Sequence, residues 1–215
     1  PSARRPRADG CDLPHHLSPV RLRVTLAAVL VAAAFSLPAI ARDPVRGAEI
    51  AAERCVACHG MDGRSSLAEI PRLAGQQSGF ITLQMILFRE GIRQVPAMQS
   101  STEKLSDTDI EAVAAYYAGL PSAAPEDRTP RDAALMARGQ AISAARNCGV
   151  CHLPNYAGRA QMPRLTHQHE GFLAHTMAEY RDGQRIGIDT QMNGAVQGLS
   201  NADIAALAHY LAHQD

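Results

Sequence analysis

The amino-acid sequence predicts an all-α chain built from two tandem domains that arose by internal duplication. Three observations lead there. Long blocks recur at a near-constant offset, the recurring blocks carry helix start and stop signals, and no alternating apolar–polar run of useful length marks a strand. "CVACHG" (55–60) matches "CGVCHL" (148–153) at an offset of 93, and "PRLAGQQSGF" (71–80) matches "PRLTHQHEGF" (163–172) at 92. "FREGIR" (88–93) matches "YRDGQR" (180–185) at 92, and "LSDTDIEAVAAYYAGL" (105–120) matches "LSNADIAALAHYLAHQ" (199–214) at 94. The offset drifts only between blocks, which describes one unit written twice rather than a short-period solenoid. "LPSAAPEDRTP", with Pro121, Pro125 and Pro130, reads as the linker. The expected division is 1–41 as an N-terminal extension and leader, 42–120 as domain 1, 121–130 as linker and 131–215 as domain 2.

Taken in order, the first element is a leader. "RLRVTLAAVLVAAAFSLPAIA" has two arginines, an apolar run and a small-residue ending at Ala39-Ile40-Ala41, the layout of a secretory signal peptide cleaved after Ala41. An uncleaved membrane anchor is the rival reading. Val24 to Ala41 is 18 residues, short for a spanning helix, and Pro38 interrupts it. Residues 1–19 and their Cys11 stand apart from the fold. Next, Asp43-Pro44 is a cap followed by proline at a first helical position, and "RGAEIAAER" continues that helix to Cys55. "SGFITLQMILFREG" reads as a helix capped by Ser78 and ended by Gly91. Ser106-x-x-Asp109 and Ser200-x-x-Asp203 open the last helix of each copy as capping boxes.

From residue 42 onward the chain keeps 16 of its 21 basic and 19 of its 21 acidic residues, a net of −3 with one lysine, Lys104. No basic stripe points to nucleic acid, and the charges read as a solvated surface. Aromatic residues are 4% with no Trp, so two small domains lack bulky core material.

The chemistry lies in Cys55-x-x-Cys58-His59 and Cys148-x-x-Cys151-His152. A disulfide redox motif sits beside strands, which are absent from the pattern. A zinc ribbon brings its cysteine pairs within about 15–20 residues, whereas Cys58 and Cys148 are 90 apart. Covalent haem attachment uses every residue of the motif. On a helical turn positions i, i+3 and i+4 share a face, so two thiols reach the vinyl groups at one haem edge and the histidine binds iron from the same side. Two haem c groups would also fill the missing cores.

The second axial position can be methionine, histidine or open. Of the seven methionines, Met61 is too close to His59, Met85 and Met177 lie in helices among apolar residues, and Met136 and Met162 read as packing. Met98 and Met192 remain, 39 and 40 residues after their histidines in stretches that read as non-helical loops. They are the expected ligands. His167, His169, His175, His209 and His213 are expected to be solvated or hydrogen-bonded surface residues. Methionine–histidine ligation raises the reduction potential and excludes small molecules, which suits single-electron exchange.

These blocks closely resemble the dihaem cytochromes c of the cytochrome c4 type, in the class I cytochrome c superfamily, over nearly all of 44–214. The resemblance implies two cytochrome c folds facing each other across an interface, with His59/Met98 and His152/Met192 on the irons. It also implies that the Pro71 and Pro163 carbonyls hold the proximal histidines, and that Arg93 and Arg185 meet haem propionates. "CHLPNYAG" and "THQ" in the second copy depart from the family's glycine-rich turn and "AGQ". The expected function is a periplasmic electron carrier between respiratory partners: a quinol-oxidising complex or a dehydrogenase as donor, a terminal oxidase or reductase as acceptor. A retained leader would add a loose membrane association. The alternatives are a cytochrome subunit of a dehydrogenase or a dihaem peroxidase. No paired acid–base groups of the kind a peroxidase needs are repeated in the sequence.

Overall fold

Asp43 opens the first helix as the sequence predicts. Its carboxylate accepts from the N–H groups of Val45 and Arg46, and Pro44 takes the first helical position, where no N–H is needed. In this computed structural model, which describes residues 43–185 and 190–215, helix α1 (Pro44–Arg54) runs directly into the short α2 (Val56–His59). The expected leader, its cleavage after Ala41 and Cys11 lie outside the described residues. Then come α3 (Ser78–Arg89), α4 (Pro96–Thr102) and α5 (Asp107–Gly119). The second copy repeats the order with α6 (Ala133–Ala145), α7 (Cys148–His152), α8 (Glu170–Arg181), α9 (Thr190–Val196) and α10 (Asn201–Ala212). Among the described residues the only extended pairing is an isolated bridge between Arg159 and Met162, so the fold is all-α.

Both copies are tied together by a crossing of their first and last helices, α1 on α5 and α6 on α10. Glycine sets the closeness of that crossing. A Cβ on Gly47 would overlap the Ala112 carbonyl, and one on Gly139 would overlap that of Ala206. Behind each crossing lies a separate core. The first gathers Ile50, Ile81, Met85, Ile110, Val113 and Tyr117; the second gathers Tyr156, Leu173, Met177, Ile204, Leu207 and Leu211. Met85 and Met177 are core residues, as expected. Burying a large apolar side chain of this kind stabilises by about 1.5–3 kcal/mol.

Both predicted capping boxes form. The Ser106 and Ser200 hydroxyls accept from the Asp109 and Asp203 N–H groups, and each Asp carboxylate accepts from its serine's N–H in return. The cap expected at Ser78 is displaced by one residue. Gln77 is the N-cap, its side chain makes no cap bond, and its N–H donates instead to Gln76 Oε1. A second correction concerns the two methionine segments. Met98 lies in α4 and Met192 in α9, not in loops. Pro96 starts α4, and Ser101 and Thr102 bond back to the Ala97 and Met98 carbonyls, holding a turn too short for periodicity to reveal.

Three of the histidines expected at the surface are buried: His169, His209 and His213. His209 Nδ1 faces Glu170, while its Nε2 accepts from the Asp132 N–H at the start of α6. His213 bonds to the carbonyls of His209 and Thr129, so the linker is pinned onto α10. Polar groups serve as core here because linker carbonyls must be satisfied where water is excluded. His175 stays exposed beside Glu179, and His167 meets Ser122.

The two copies share three left-handed loop positions but not the glycines at them. Gly60, Gly63 and Gly75 have φ of 75°, 67° and 66°; their counterparts Leu153, Tyr156 and His167 have φ of 71°, 53° and 60°. The departures noted in the sequence therefore keep these three left-handed positions and place bulky residues at them.

Candidate haem sites

α1 ends at Cys55, whose N–H closes the last turn on Ala51 O at 2.9 Å. The next turn carries Cys58 and His59, and the His59 N–H donates to Cys55 O at 2.9 Å. One helical turn thus places all three on one face. Cys58 and Cys151 are exposed, Cys55 and Cys148 are half-buried, and all four thiols are unbridged. Burial pushes the Cys55 thiol up, with the Tyr117 hydroxyl beside it opposing, and burial pushes Cys148 up against the opposing Ser143 hydroxyl.

His59 is 5% exposed and donates its Nδ1–H to Pro71 O at 2.9 Å. A carbonyl only accepts, so the proton sits on Nδ1 and the Nε2 lone pair is left for a metal. Burial holds this imidazole in its neutral form, against the weaker pull of the Pro71 carbonyl. His152 repeats the arrangement: it is 4% exposed and its Nδ1 lies 2.9 Å from Pro163 O. Both proline contacts implied by the family resemblance are therefore present.

One cavity in the first domain is lined by Cys55, Cys58 and His59 and also by Met98. Ile81, Met85, Phe88 and Val113 supply apolar walls. The buried Gln84 Nε2 has no partner there, as a pocket awaiting a polar-edged occupant would have it. Two thiols, one imidazole, one thioether and apolar walls fit a haem c. In the second domain Cys148 and Met192 border the same core cluster, and buried His152 follows Cys148 on α7. Met61 is exposed and takes no part in the cavity.

Arg93 and Arg185, which the family resemblance sets against haem propionates, come together in one place. Arg93 and Arg185 both line the first cavity and both donate to Gln84 Oε1, at 2.8 and 3.0 Å. Each guanidinium also lies 4.6 Å from the ring centroid of its own Phe88 or Tyr180. Gln168, Phe172, His175 and Glu179 of the second copy reach this cavity as well. The family resemblance sets the two folds face to face, but the sequence singled out no residue of the second copy for this wall. The recurrence of Gln76 and Gln168 within the "PRL" blocks was the signal that could have found it.

Comparison with known proteins agrees with this chemistry. The family model for cytochrome c matches residues 136–215, and the one for cytochrome c oxidase, cbb3-type, subunit III matches residues 42–116. Cytochrome c4 of Pseudomonas aeruginosa is 34% identical over 164 residues, covering 73% of this chain and 82% of that protein. The thiosulfate dehydrogenase electron acceptor of Stutzerimonas stutzeri is 32% identical, covering 78% and 82%. The crystal structure of reduced recombinant cytochrome c4 from Pseudomonas stutzeri superposes with a TM-score of 0.72 at 31% identity, over 80% of this chain and 99% of that one. Two covalently bound haem c groups at the two C-x-x-C-H motifs, and a part in electron transfer, follow from these likenesses. Motifs, tandem all-α architecture and relatives agree: the chain belongs to the cytochrome c4 family.

Proposed function

We propose that this chain is a periplasmic electron carrier whose irons are bound by His59 and Met98 in domain 1 (42–120) and by His152 and Met192 in domain 2 (131–215). Thioethers to Cys55, Cys58, Cys148 and Cys151 hold the macrocycles, and residues 121–130 join the domains. The observation that carries this reading is the His59 Nδ1–H donated to Pro71 O, with Met98 on the wall of the cavity that His59 lines. The haem supplies a one-electron couple, and a thioether ligand favours its reduced state. The protein's share would be to orient the imidazole, to exclude water with Ile81, Phe88 and Val113, and to offer the iron one histidine and one methionine in each domain.

Electrons would enter and leave through the exposed motif edges, where Cys58 and Cys151 are open to solvent and Val150 is 69% exposed. Encounters with partners would be small and transient, below about 1,200 Å² of buried surface. A dehydrogenase is the donor favoured by the likeness to the thiosulfate dehydrogenase electron acceptor; a terminal oxidase or reductase is the acceptor class. Export across the inner membrane is supported by the leader sequence ending at Ala41. The test is carbon monoxide binding to the reduced protein. Wild type is expected to bind none, Met98→Ala and Met192→Ala one equivalent each, and the double variant two. Carbon monoxide binding by wild type, or none by either variant, would refute the ligand set.

A further inference from the structure

Each proximal histidine is connected to the opposite domain by a single peptide group. The peptide joining Pro71 and Arg72 accepts from His59 Nδ1 through its oxygen, at 2.9 Å, and donates its N–H to Gln168 Oε1, also at 2.9 Å. Gln168 Nε2 returns a hydrogen bond to Arg72 O at 3.0 Å. The mirror arrangement joins His152, the Pro163–Arg164 peptide and Gln76. Pro163 O accepts from His152 Nδ1 at 2.9 Å, and the Arg164 N–H donates to Gln76 Oε1 at 2.7 Å. Gln76 Nε2 donates back to Arg164 O at 3.0 Å. Gln76 and Gln168 are 6% and 5% exposed, so these amides work away from water.

We propose that Gln168 positions and polarises the proximal histidine of the first haem, and Gln76 that of the second, each acting across the domain interface. The physical basis is cooperativity in a hydrogen-bond chain. A peptide whose N–H is donated has a more negative carbonyl oxygen, and that oxygen pulls harder on the imidazole N–H. Stronger donation makes the histidine a more basic ligand and favours oxidised iron. The two domains therefore tune each other's haems in a crossed pattern, and separating them would shift both potentials. This inference rests on His59 and His152 being iron ligands.

The experiment compares wild-type holoprotein with Gln168→Met, Gln76→Met and Gln77→Met. Gln77 is the control. It bonds across the same interface to the Ala157 and Gly158 carbonyls but contacts neither histidine-bearing peptide. Proton–nitrogen NMR of the reduced protein reads the two histidine Nδ1–H signals, and a domain-resolved redox titration reads the electron distribution. In Gln168→Met the His59 signal is expected to move upfield with His152 unchanged, and the first haem to gain about threefold in electron occupancy, or about 30 mV at 59 mV per tenfold for a one-electron couple. Gln76→Met is expected to do the same to His152 and the second haem, and Gln77→Met to neither. Gln168→Glu keeps the acceptor for the Arg72 N–H, so it is expected to shift the His59 signal downfield, which tests the relay even if the methionine variant folds poorly. An unmoved His59 signal in both Gln168 variants, an effect on the domain that bears the mutation, or an equal shift in Gln77→Met would overturn the proposal. A wild-type spectrum without methionine-ligated iron would overturn the ligand reading beneath it instead.

Discussion

Gly63 and Tyr117 are predicted to be exchangeable as a pair though not singly. Gly63 has φ of 67°, and a Cβ placed on it would lie 2.9 Å from Tyr117 Cδ1 and 2.9 Å from Ala74 N. At the matching point of the second domain Tyr156 holds φ of 53°, and Leu211 stands where Tyr117 does. Tyr156 and Leu211 belong to one core cluster, and the Tyr156 hydroxyl meets Ser143 at 2.8 Å. The second copy thus brings its aromatic ring from the loop, and the first brings its ring from α5. Gly63→Tyr alone drives a ring into the fully buried Tyr117 and adds left-handed strain, a cost of about 3–5 kcal/mol. Tyr117→Leu alone leaves a cavity costing about 2 kcal/mol. Together they remove the overlap of the two rings, leaving the left-handed strain of about 1–2 kcal/mol and the close approach of the new Cβ to Ala74 N, whose adjustment costs about another 1 kcal/mol. The coupling is then about 3 kcal/mol in favour of the pair, at the upper end of the range for neighbouring residues because the ring overlap is removed while the Ala74 contact stays. Denaturant unfolding of the four holoproteins, followed at the first haem, measures it. Additive losses would refute the idea that the two rings occupy equivalent space.

Other outcomes follow from local features. Ser106→Ala and Ser200→Ala each remove one capping box and are expected to cost about 1 kcal/mol in thermal or denaturant unfolding. Asp203 is pushed down to about 2 by the Ser200 hydroxyl and Arg138, and Asp109 is lowered by Ser106 and Arg46. Carboxylates depressed in the fold contribute stability above their unfolded value near 3.8 and lose it as pH falls towards 2. Stability is therefore expected to decline from about pH 4 to pH 2, and Asp203→Asn to flatten part of that decline; an unchanged slope would contradict the assignment. Gly139→Val, at the α6–α10 crossing, is expected to prevent accumulation of the folded second domain, measured as loss of haem stain at unchanged expression. Cys58→Ala is expected to leave one thioether on the first haem, visible as a red-shifted absorption band in the reduced pyridine adduct.

What was legible in the sequence was what repeats or caps. The offset blocks gave the duplication, and Ser106, Ser200 and Asp43 announced their helices because a cap is a local bond between near neighbours. The C-x-x-C-H motifs were legible for the same reason, since one helical turn holds all their chemistry. The helical state of Met98 and Met192 was not. A seven-residue helix begun by Pro96 is too short to show a period and is held by back-bonding serine and threonine hydroxyls. The burial of His169 was equally hidden, because its partner, Ser65 O, lies 104 residues away across the interface. Arg185 joins Arg93 on Gln84, a placement that only the docking of the two halves determines.

The pairing of imidazole with thioether on both irons is tested most directly by a redox titration of the exported protein, recorded across the visible spectrum to the weak methionine–iron band at the red end. The expected record is two one-electron steps, low-spin spectra in both oxidation states, and a band whose intensity falls in two stages as each iron is reduced. A single step, a high-spin component, or an oxidised spectrum without the band would contradict the account.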